Sequence, residues 1–162
     1  MPAKTAKVDA RVPAFSRPAT GGKETGGKDW KLAEAAGKKL VIYFYPRDNT
    51  PGCTKEGEAF RDLYPAFKKA GAVIVGVSPD TLASHEKFKQ KMSFPFELLS
   101  DEDHALCDVF GVFKEKSMYG RKYMGVERST FLIDGAGVLR QEWRKVKVPG
   151  HADEVLAAVK AL

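Results

Sequence analysis

Two continuous apolar runs dominate the pattern of hydrophobic and polar positions along this chain. Positions 40–45 (LVIYFY) and 72–77 (AVIVGV) are rich in aromatic and β-branched residues, as expected for strands that are covered on both faces. The intervening positions 51–70 carry apolar residues at helical spacing. This order predicts a β-α-β unit with a right-handed crossover helix. Pro65 should kink that helix or split it in two, because proline lacks the amide proton that a helical turn requires.

The rest of the pattern predicts further helices and a hairpin. We expect a short strand at 12–15, a surface loop at 16–29, helices at 80–92 (with Asp80 as N-cap), 101–110 and 151–162, and a hairpin of strands 129–133 and 138–146. The order β-α-β, helices, β-β-α is that of a thioredoxin-like domain. The predicted fold class is therefore α/β, with a mixed central sheet flanked by helices.

Length and composition are typical of a one-domain globular protein. The 162 residues, of which 43% are hydrophobic and 30% charged, predict a single domain over residues 1–162 with a loop-rich N-terminal segment over 1–38. No stretch approaches the roughly 20 apolar residues of a membrane span, and the first residues lack the apolar run of a secretory signal. We therefore expect no membrane association and a cytoplasmic location.

Charge and cysteine count argue against further classes of function. The formal net charge of +6 comes from the two ends of the chain, where the longest basic cluster is Arg144, Lys145 and Lys147. Nucleic-acid-binding proteins usually concentrate such charge on one helix or stripe with interleaved aromatic residues, so we expect no nucleic-acid partner. The two cysteines and three histidines have no paired spacing for zinc. We predict no metal and no cofactor.

Cys53 stands where the first apolar strand gives way to the predicted helix. Thr50 suits the N-cap, Pro51 suits the first helical position and Gly52 leaves room for close approach, so the thiol should lie in the first turn. The positive end of a helix favours the thiolate form of a cysteine, which indicates a reactive thiol. The alternative is a small hydrophobic residue that caps the core.

The stretch that contains Cys53 also resembles a known family. Positions 46–53 (PRDNTPGC) match the P-x-x-x-T-x-x-C signature of peroxiredoxins, and GVSPD, FELLSDEDHALCDVFGV and MYGRKYMGVERSTFLID are similar to the Q-type subfamily, also called bacterioferritin comigratory proteins. The resemblance implies a thiol-dependent peroxidase that reduces hydrogen peroxide and organic hydroperoxides. Cys53 would attack the hydroperoxide and become a sulfenic acid.

The resemblance further implies roles for the residues near the thiol. Thr50 would hold the peroxide through its hydroxyl, and Pro46 would shelter the thiolate from bulk water. The backbone amide of Cys53 would donate to the oxygens as their charge shifts, and Arg128 would assist both the thiolate and the leaving oxygen. The implied substrate-binding set is Thr50, Gly52, Cys53 and Arg128.

Other polar and aromatic residues receive weaker assignments. Glu56, one helical turn after the thiol, is expected to position its neighbours, with a solvated helix residue as the alternative. Tyr45 ends an apolar strand, so we expect it in the core. His85, His104 and His151 have no cysteine or carboxylate at triad-like spacing, and we expect all three at the surface.

The sequence departs from its family at the second thiol. In many Q-type relatives the resolving cysteine lies five residues after the peroxidatic one, a position that is Glu58 here, and in others it lies in the following helix, where the nearest match is Lys89. The remaining candidate is Cys107, whose apolar neighbours favour a structural role. The pattern therefore favours a one-cysteine mechanism, with resolution by Cys107 as the alternative.

A one-cysteine mechanism implies an external reductant. The sulfenic acid would be reduced through a mixed disulfide by a thioredoxin, a glutaredoxin or a small thiol. The resemblance favours a monomer over a dimer. A rival from another class is a redox sensor on the same scaffold, in which Cys53 is oxidised without turnover.

Overall fold

Nine strands and four helices make up the secondary structure of residues 5–21 and 28–162, which the computed structural model describes. The strands are β1 (Ser16–Ala19), β2 (Lys28–Lys31), β3 (Lys39–Phe44), β4 (Ala72–Ser78), β5 (Glu97–Ser100), β6 (Phe113–Met118), β7 (Arg121–Val126), β8 (Ser129–Ile133) and β9 (Leu139–Trp143). The helices are α1 (Pro51–Lys69), α2 (Leu82–Met92), α3 (Ala105–Val109) and α4 (His151–Ala161), with a 3₁₀ turn at Leu32–Ala35.

Seven of the strands form one mixed sheet in the order β2-β1-β5-β4-β3-β8-β9. β3 pairs in parallel with β4, and β4 with β5, while β8 and β9 extend the sheet antiparallel beyond β3. β6 and β7 form a separate antiparallel hairpin. The predicted α/β class and mixed central sheet flanked by helices are confirmed, and β3 and β4 lie where the two apolar runs predict them.

The sheet separates two hydrophobic cores, because successive side chains of a strand point to opposite faces. From β3 and the residue after it, Val41, Tyr43 and Tyr45 pack into one core with residues of α1, α2 and α4. Leu40, Ile42 and Phe44 pack into the other core with residues of α3 and the N-terminal segment. Each strand residue is therefore assigned to one face by its position alone.

Helix α1 runs unbroken through Pro65, so the expected split into two helices is wrong. Its buried positions recur every three or four residues and are Cys53, Glu56, Gly57, Phe60, Tyr64 and Phe67. Pro65 lies on the exposed face. Packing of the apolar face on both sides of the proline holds the helix together.

Other sequence predictions require correction. Residues 12–15 form no strand, and part of the predicted loop 16–29 is the β1–β2 pair, with Ser16 opposite Lys31; residues 22–27 of that loop lie outside the described residues. The third helix is shorter than predicted. The N-cap of α2 is Thr81, whose hydroxyl oxygen accepts a hydrogen bond from the Ser84 amide at 3.1 Å. Asp80 instead accepts hydrogen bonds from neighbouring loops and strands.

No helix in the described part of the chain is both long and apolar enough to cross a bilayer.

Candidate active site

Cys53 lies in the first turn of α1, directly after the loop that leaves β3. Pro51 occupies the start of the helix, where its missing amide proton costs no hydrogen bond. The thiol faces the core and only 2% of the residue is exposed. In the first turn the backbone amides have no carbonyl partner one turn back, so the sulfur lies beside unpaired N–H groups at the positive end of the helix.

Arg128 links the thiol to a second buried group. It directly precedes β8, and its Nη2 donates to the Cys53 Sγ at 3.4 Å while its Nη1 donates to the Glu56 Oε1 at 2.6 Å. Gly52 makes room for this contact, since a Cβ at that position would lie 3.1 Å from Nη2. The guanidinium therefore places a fixed positive charge against the sulfur.

Glu56 is buried and paired, so the alternative of a solvated helix residue is wrong. Burial raises the pKa of its carboxyl to about 7, although Arg128 opposes the shift. Its second oxygen, Oε2, accepts no hydrogen bond from any described residue. Oε1 thus holds Arg128 in place. Because Oε2 is buried without a hydrogen bond, the charged form of the Glu56 carboxyl group is costly in this core.

Thr50 and Pro46 lie on the loop between β3 and α1. The Thr50 hydroxyl donates to the backbone carbonyl of Arg47 at 2.9 Å and does not cap the helix as predicted, although Thr50 does occupy the N-cap position. Because the hydroxyl proton is used in this hydrogen bond, the Thr50 oxygen remains able to accept a hydrogen bond from another group. Pro46 is half-buried and directly follows the buried Tyr45.

Cys107 lies on the other face of the sheet from Cys53. Cys53 belongs to the core under α1, and Cys107 belongs to the opposite core with α3. Burial, reinforced by the nearby Asp101 carboxylate, raises the pKa of Cys107 well above that of an ordinary thiol. Asp101 also accepts hydrogen bonds from the backbone amides of Leu106 and Cys107. These contacts hold the backbone of Cys107 in the first turn of α3.

Lys89, the residue at the alternative family position, is held by a salt bridge. Its ammonium group contacts the Glu97 carboxylate on β5, and Glu97 also accepts a hydrogen bond from the Thr20 hydroxyl at 3.1 Å. The side chain therefore links α2 to the sheet.

The hairpin β6–β7 borders the site, and the sequence analysis missed it. Lys116 on β6 is half-buried, and its pKa is lowered first by burial and then by the charge of Arg128. Its aliphatic stem and the ring of Tyr123 both lie over Gly125. The segment is mostly polar and exposed, so it carries little of the apolar pattern by which buried strands are recognised.

Two of the three histidines are buried, which contradicts their predicted surface location. His85 is fully enclosed and hydrogen-bonded on both ring nitrogens. His151 begins α4, contacts the Thr130 hydroxyl at 2.8 Å through Nε2, and has its pKa lowered to about 4 by burial. His104 is half-buried and stacks on Phe113.

Asp48, Asp80 and His85 form the cluster with metal-ligand chemistry among the described residues, and their ligating atoms lie within 4.8 Å of one another. Each group is already engaged. The Asp48 carboxylate contacts three side-chain donors, and both His85 nitrogens face oxygen atoms of the protein. A metal ion would have to displace these bonds.

Comparison with known proteins decides the family. The sequence profile of the AhpC/TSA family matches residues 8–142. Peroxiredoxin Bcp of Xanthomonas campestris is 58% identical over 137 residues, which are 85% of this chain and 86% of that protein. Peroxiredoxin Bcp of Bacillus subtilis is 52% identical over 134 residues, covering 83% and 85%. The chain belongs to the peroxiredoxins of the AhpC/TSA family.

Solved peroxiredoxin structures agree with this assignment. Peroxiredoxin Q of Xanthomonas campestris superposes with a TM-score of 0.83 at 54% identity, over 91% of this chain and 90% of that one. A cysteine-to-serine variant of PrxQ from Xylella fastidiosa superposes with a TM-score of 0.88 at 40% identity, over 98% of each chain. The predicted thioredoxin-like fold and the Q-type resemblance are confirmed. As a peroxiredoxin, the protein is a thiol-dependent peroxidase.

Proposed function

We propose that this peroxiredoxin reduces hydrogen peroxide and organic hydroperoxides through a sulfenic acid on Cys53, and that an external thiol resolves that sulfenic acid. The observation that carries the proposal is the contact between Arg128 and the Cys53 sulfur, which Glu56 fixes from the other side. A related protein supports the substrate class: a Xanthomonas campestris bacterioferritin comigratory protein, 53% identical in sequence, has alkyl peroxide reduction activity.

In the first step the Cys53 thiolate attacks the terminal oxygen of the hydroperoxide. An S–O bond forms, the O–O bond breaks, and the sulfur loses two electrons to the leaving alkoxide or hydroxide, which then takes up a proton. Arg128 stabilises the thiolate before the attack and the oxygens as charge moves onto them. These donors are in place before the peroxide arrives.

Thr50 and Pro46 orient and shield the substrate. Because the Thr50 hydroxyl donates to Arg47, its oxygen is available to accept the O–H of the peroxide. Pro46, half-buried at the start of the same loop, would shelter the thiolate from bulk water. The unpaired amides of the first helical turn, including that of Cys53, donate to the peroxide oxygens.

In the second step an external thiol attacks the sulfenic sulfur. A mixed disulfide forms with loss of water, and a second thiol releases reduced Cys53 as the external disulfide forms. Resolution by Cys107 would require the two sulfurs to meet from opposite faces of the sheet, whereas a disulfide needs Cα atoms within about 7 Å. Thioredoxin, glutaredoxin and small thiols are the candidate reductants, and the chain is proposed to act as a monomer.

The experiment is the intact mass of fully reduced protein treated with one equivalent of hydrogen peroxide and a sulfenic-acid trapping reagent. An adduct on Cys53 is expected, in wild type and in Cys107→Ala alike, with no adduct in Cys53→Ser. Loss of two hydrogens without an adduct would show that Cys107 resolves. Continuous peroxide consumption with added thiol distinguishes an enzyme from a sensor, which would react once and stop.

A further inference from the structure

Asp48 is a buried carboxylate in the middle of the loop that joins β3 to the helix of Cys53. Three side chains converge on it: the Tyr45 hydroxyl donates at 2.7 Å, the Ser84 hydroxyl donates at 2.8 Å, and the His85 Nδ1 lies 2.7 Å away. These contacts tie the loop to the end of β3 and to α2.

His85 links this carboxyl group to the central sheet. It lies on α2 and is 0% exposed, and its Nε2 lies 2.9 Å from the Leu99 carbonyl oxygen on β5, which only accepts hydrogen bonds. Its Nδ1 faces the Asp48 carboxyl group. The ring therefore bridges the loop and β5, with each nitrogen engaged by an oxygen atom of the protein.

The same loop is fixed a second time through its backbone. The Asp48 amide donates to the Asp80 carboxylate at 2.7 Å, and Asp80 also accepts from the Ser78 hydroxyl at 2.5 Å. The Asp80 carbonyl accepts from the Ser100 hydroxyl at 2.6 Å. The charged and titratable groups that face His85 are therefore Asp48 from the loop, Asp80 from the end of β4 and the phenol of Tyr45.

The position of Asp48 in the chain gives this network its functional meaning. Asp48 lies two residues after Pro46 and two residues before Thr50. We propose that His85 is a positioning residue for the peroxide reaction, which fixes Asp48 and so the backbone that presents Pro46 and Thr50 to the substrate. The inference rests on the proposed function of Cys53 and extends the site to α2, on the far side of the loop.

Two physical effects make the contribution of His85 measurable. Removal of the imidazole leaves the buried Asp48 carboxyl group without one of its hydrogen-bond partners, so Asp48 would move towards water and take the loop with it. A displacement of about 1 Å in a group that orients the substrate costs up to about 100-fold in rate. The sulfur keeps its contact with Arg128, because Arg128 reaches it from the residue before β8 and is held by Glu56 on α1.

The test compares two reactions of the same sulfur. Peroxide reduction needs Thr50 and Pro46 in position, whereas alkylation by iodoacetamide needs only the thiolate. In His85→Gln we expect the second-order rate constant with hydrogen peroxide to fall at least about 10-fold, with the alkylation rate unchanged. His104→Gln is the matched control, since it makes the same chemical change at a half-buried histidine directly before α3, and it should change neither rate.

Each other outcome has a defined meaning. Equal losses in both reactions, or no loss in either, would overturn the positioning role. If His85→Gln does not fold, Ser84→Ala removes one donor to Asp48 from the same helix without a change of charge, and the same selective loss of peroxide reactivity is then required. A wild-type protein that alkylates at Cys53 but does not react with peroxide would contradict the proposed function itself.

Discussion

Arg128 is the residue on which the geometry at the sulfur depends most directly, because one guanidinium contacts both the Cys53 Sγ and the Glu56 carboxylate. A lysine has a point charge and no planar fork, so it cannot make both contacts in the same geometry. We expect Arg128→Lys to lower the second-order rate constant for peroxide by about 100-fold. Stopped-flow kinetics of Cys53 oxidation measure this rate constant. The control is Arg47→Lys, at an exposed arginine on the loop between β3 and α1, and it should leave the rate unchanged.

A substitution at Gly52 should affect the activity and the stability of the protein differently. Alanine is favoured over glycine inside a helix by up to about 1 kcal/mol, but its Cβ would stand 3.1 Å from the Arg128 Nη2 and push the guanidinium away. Gly52→Ala should therefore keep or raise the melting temperature and lower the peroxide rate severalfold. An unchanged rate would mean that Arg128 adapts without loss, and a large fall in melting temperature would mean that the crowding distorts the helix.

At the scale of elements, the sheet determines which thiols can meet. β3 divides the core into two halves, with Cys53 on one side and Cys107 on the other. Cys107→Ala should retain the steady-state turnover of wild type with an external thiol, and its melting temperature should fall because a buried side chain is shortened. Turnover that disappears together with Cys107, in a variant that is still folded, would contradict this separation.

The elements that could be predicted from the sequence are those with a buried pattern. β3, β4 and α1 follow from two apolar runs and a helical repeat. β1, β2 and the β6–β7 hairpin are short or largely exposed, so polar residues in them carry no sign of a strand. Pro65 illustrates the opposite error, a predicted break that the structure does not have. Packing of the helix on either side of Pro65 outweighs the tendency of proline to break a helix.

The residues of the site also divide into those that could be predicted from the sequence and those that could not. Cys53, Thr50, Pro46 and Arg128 could be assigned from a motif and a family resemblance, and the structure brings Arg128 to the thiol. His85 could not be found, because it belongs to no recognised motif and its partner Asp48, at an unspecified position of the P-x-x-x-T-x-x-C signature, lies 37 positions away. Only the packing of α2 against the loop and β5 brings them together.

At the scale of the whole molecule, two buried groups give opposite dependences of stability on pH. Glu56 has its pKa raised from 4.5 to about 7, so the folded protein keeps a proton that the unfolded chain has lost, and stability falls as pH rises through that window. His151 has its pKa lowered from 6.5 to about 4, so the unfolded chain binds a proton that the folded protein rejects, and stability falls as pH drops from 6.5 towards 4.

The two contributions have opposite signs and should largely cancel between about pH 4.5 and 6.5. The difference in melting temperature between wild type and each variant measures them. Relative to wild type, Glu56→Gln should gain stability as pH rises through this range, and His151→Gln should lose it. Parallel curves for all three proteins would show that these groups do not titrate differently in the folded and unfolded chains.

The placement of the two cysteines on opposite faces of the sheet has a consequence for the durability of the enzyme. In a peroxidase that carries its own second thiol, formation of the internal disulfide competes with oxidation of the sulfenic acid by a further peroxide molecule. The rate of that disulfide step is a property of the protein itself. Under the proposed one-cysteine mechanism, the thiol that competes with the second peroxide comes from solution. The number of catalytic cycles that a molecule completes before Cys53 is oxidised to the sulfinic acid then depends on the ratio of reductant to peroxide around it. The working lifetime of the enzyme therefore depends on the supply of thiols in its surroundings.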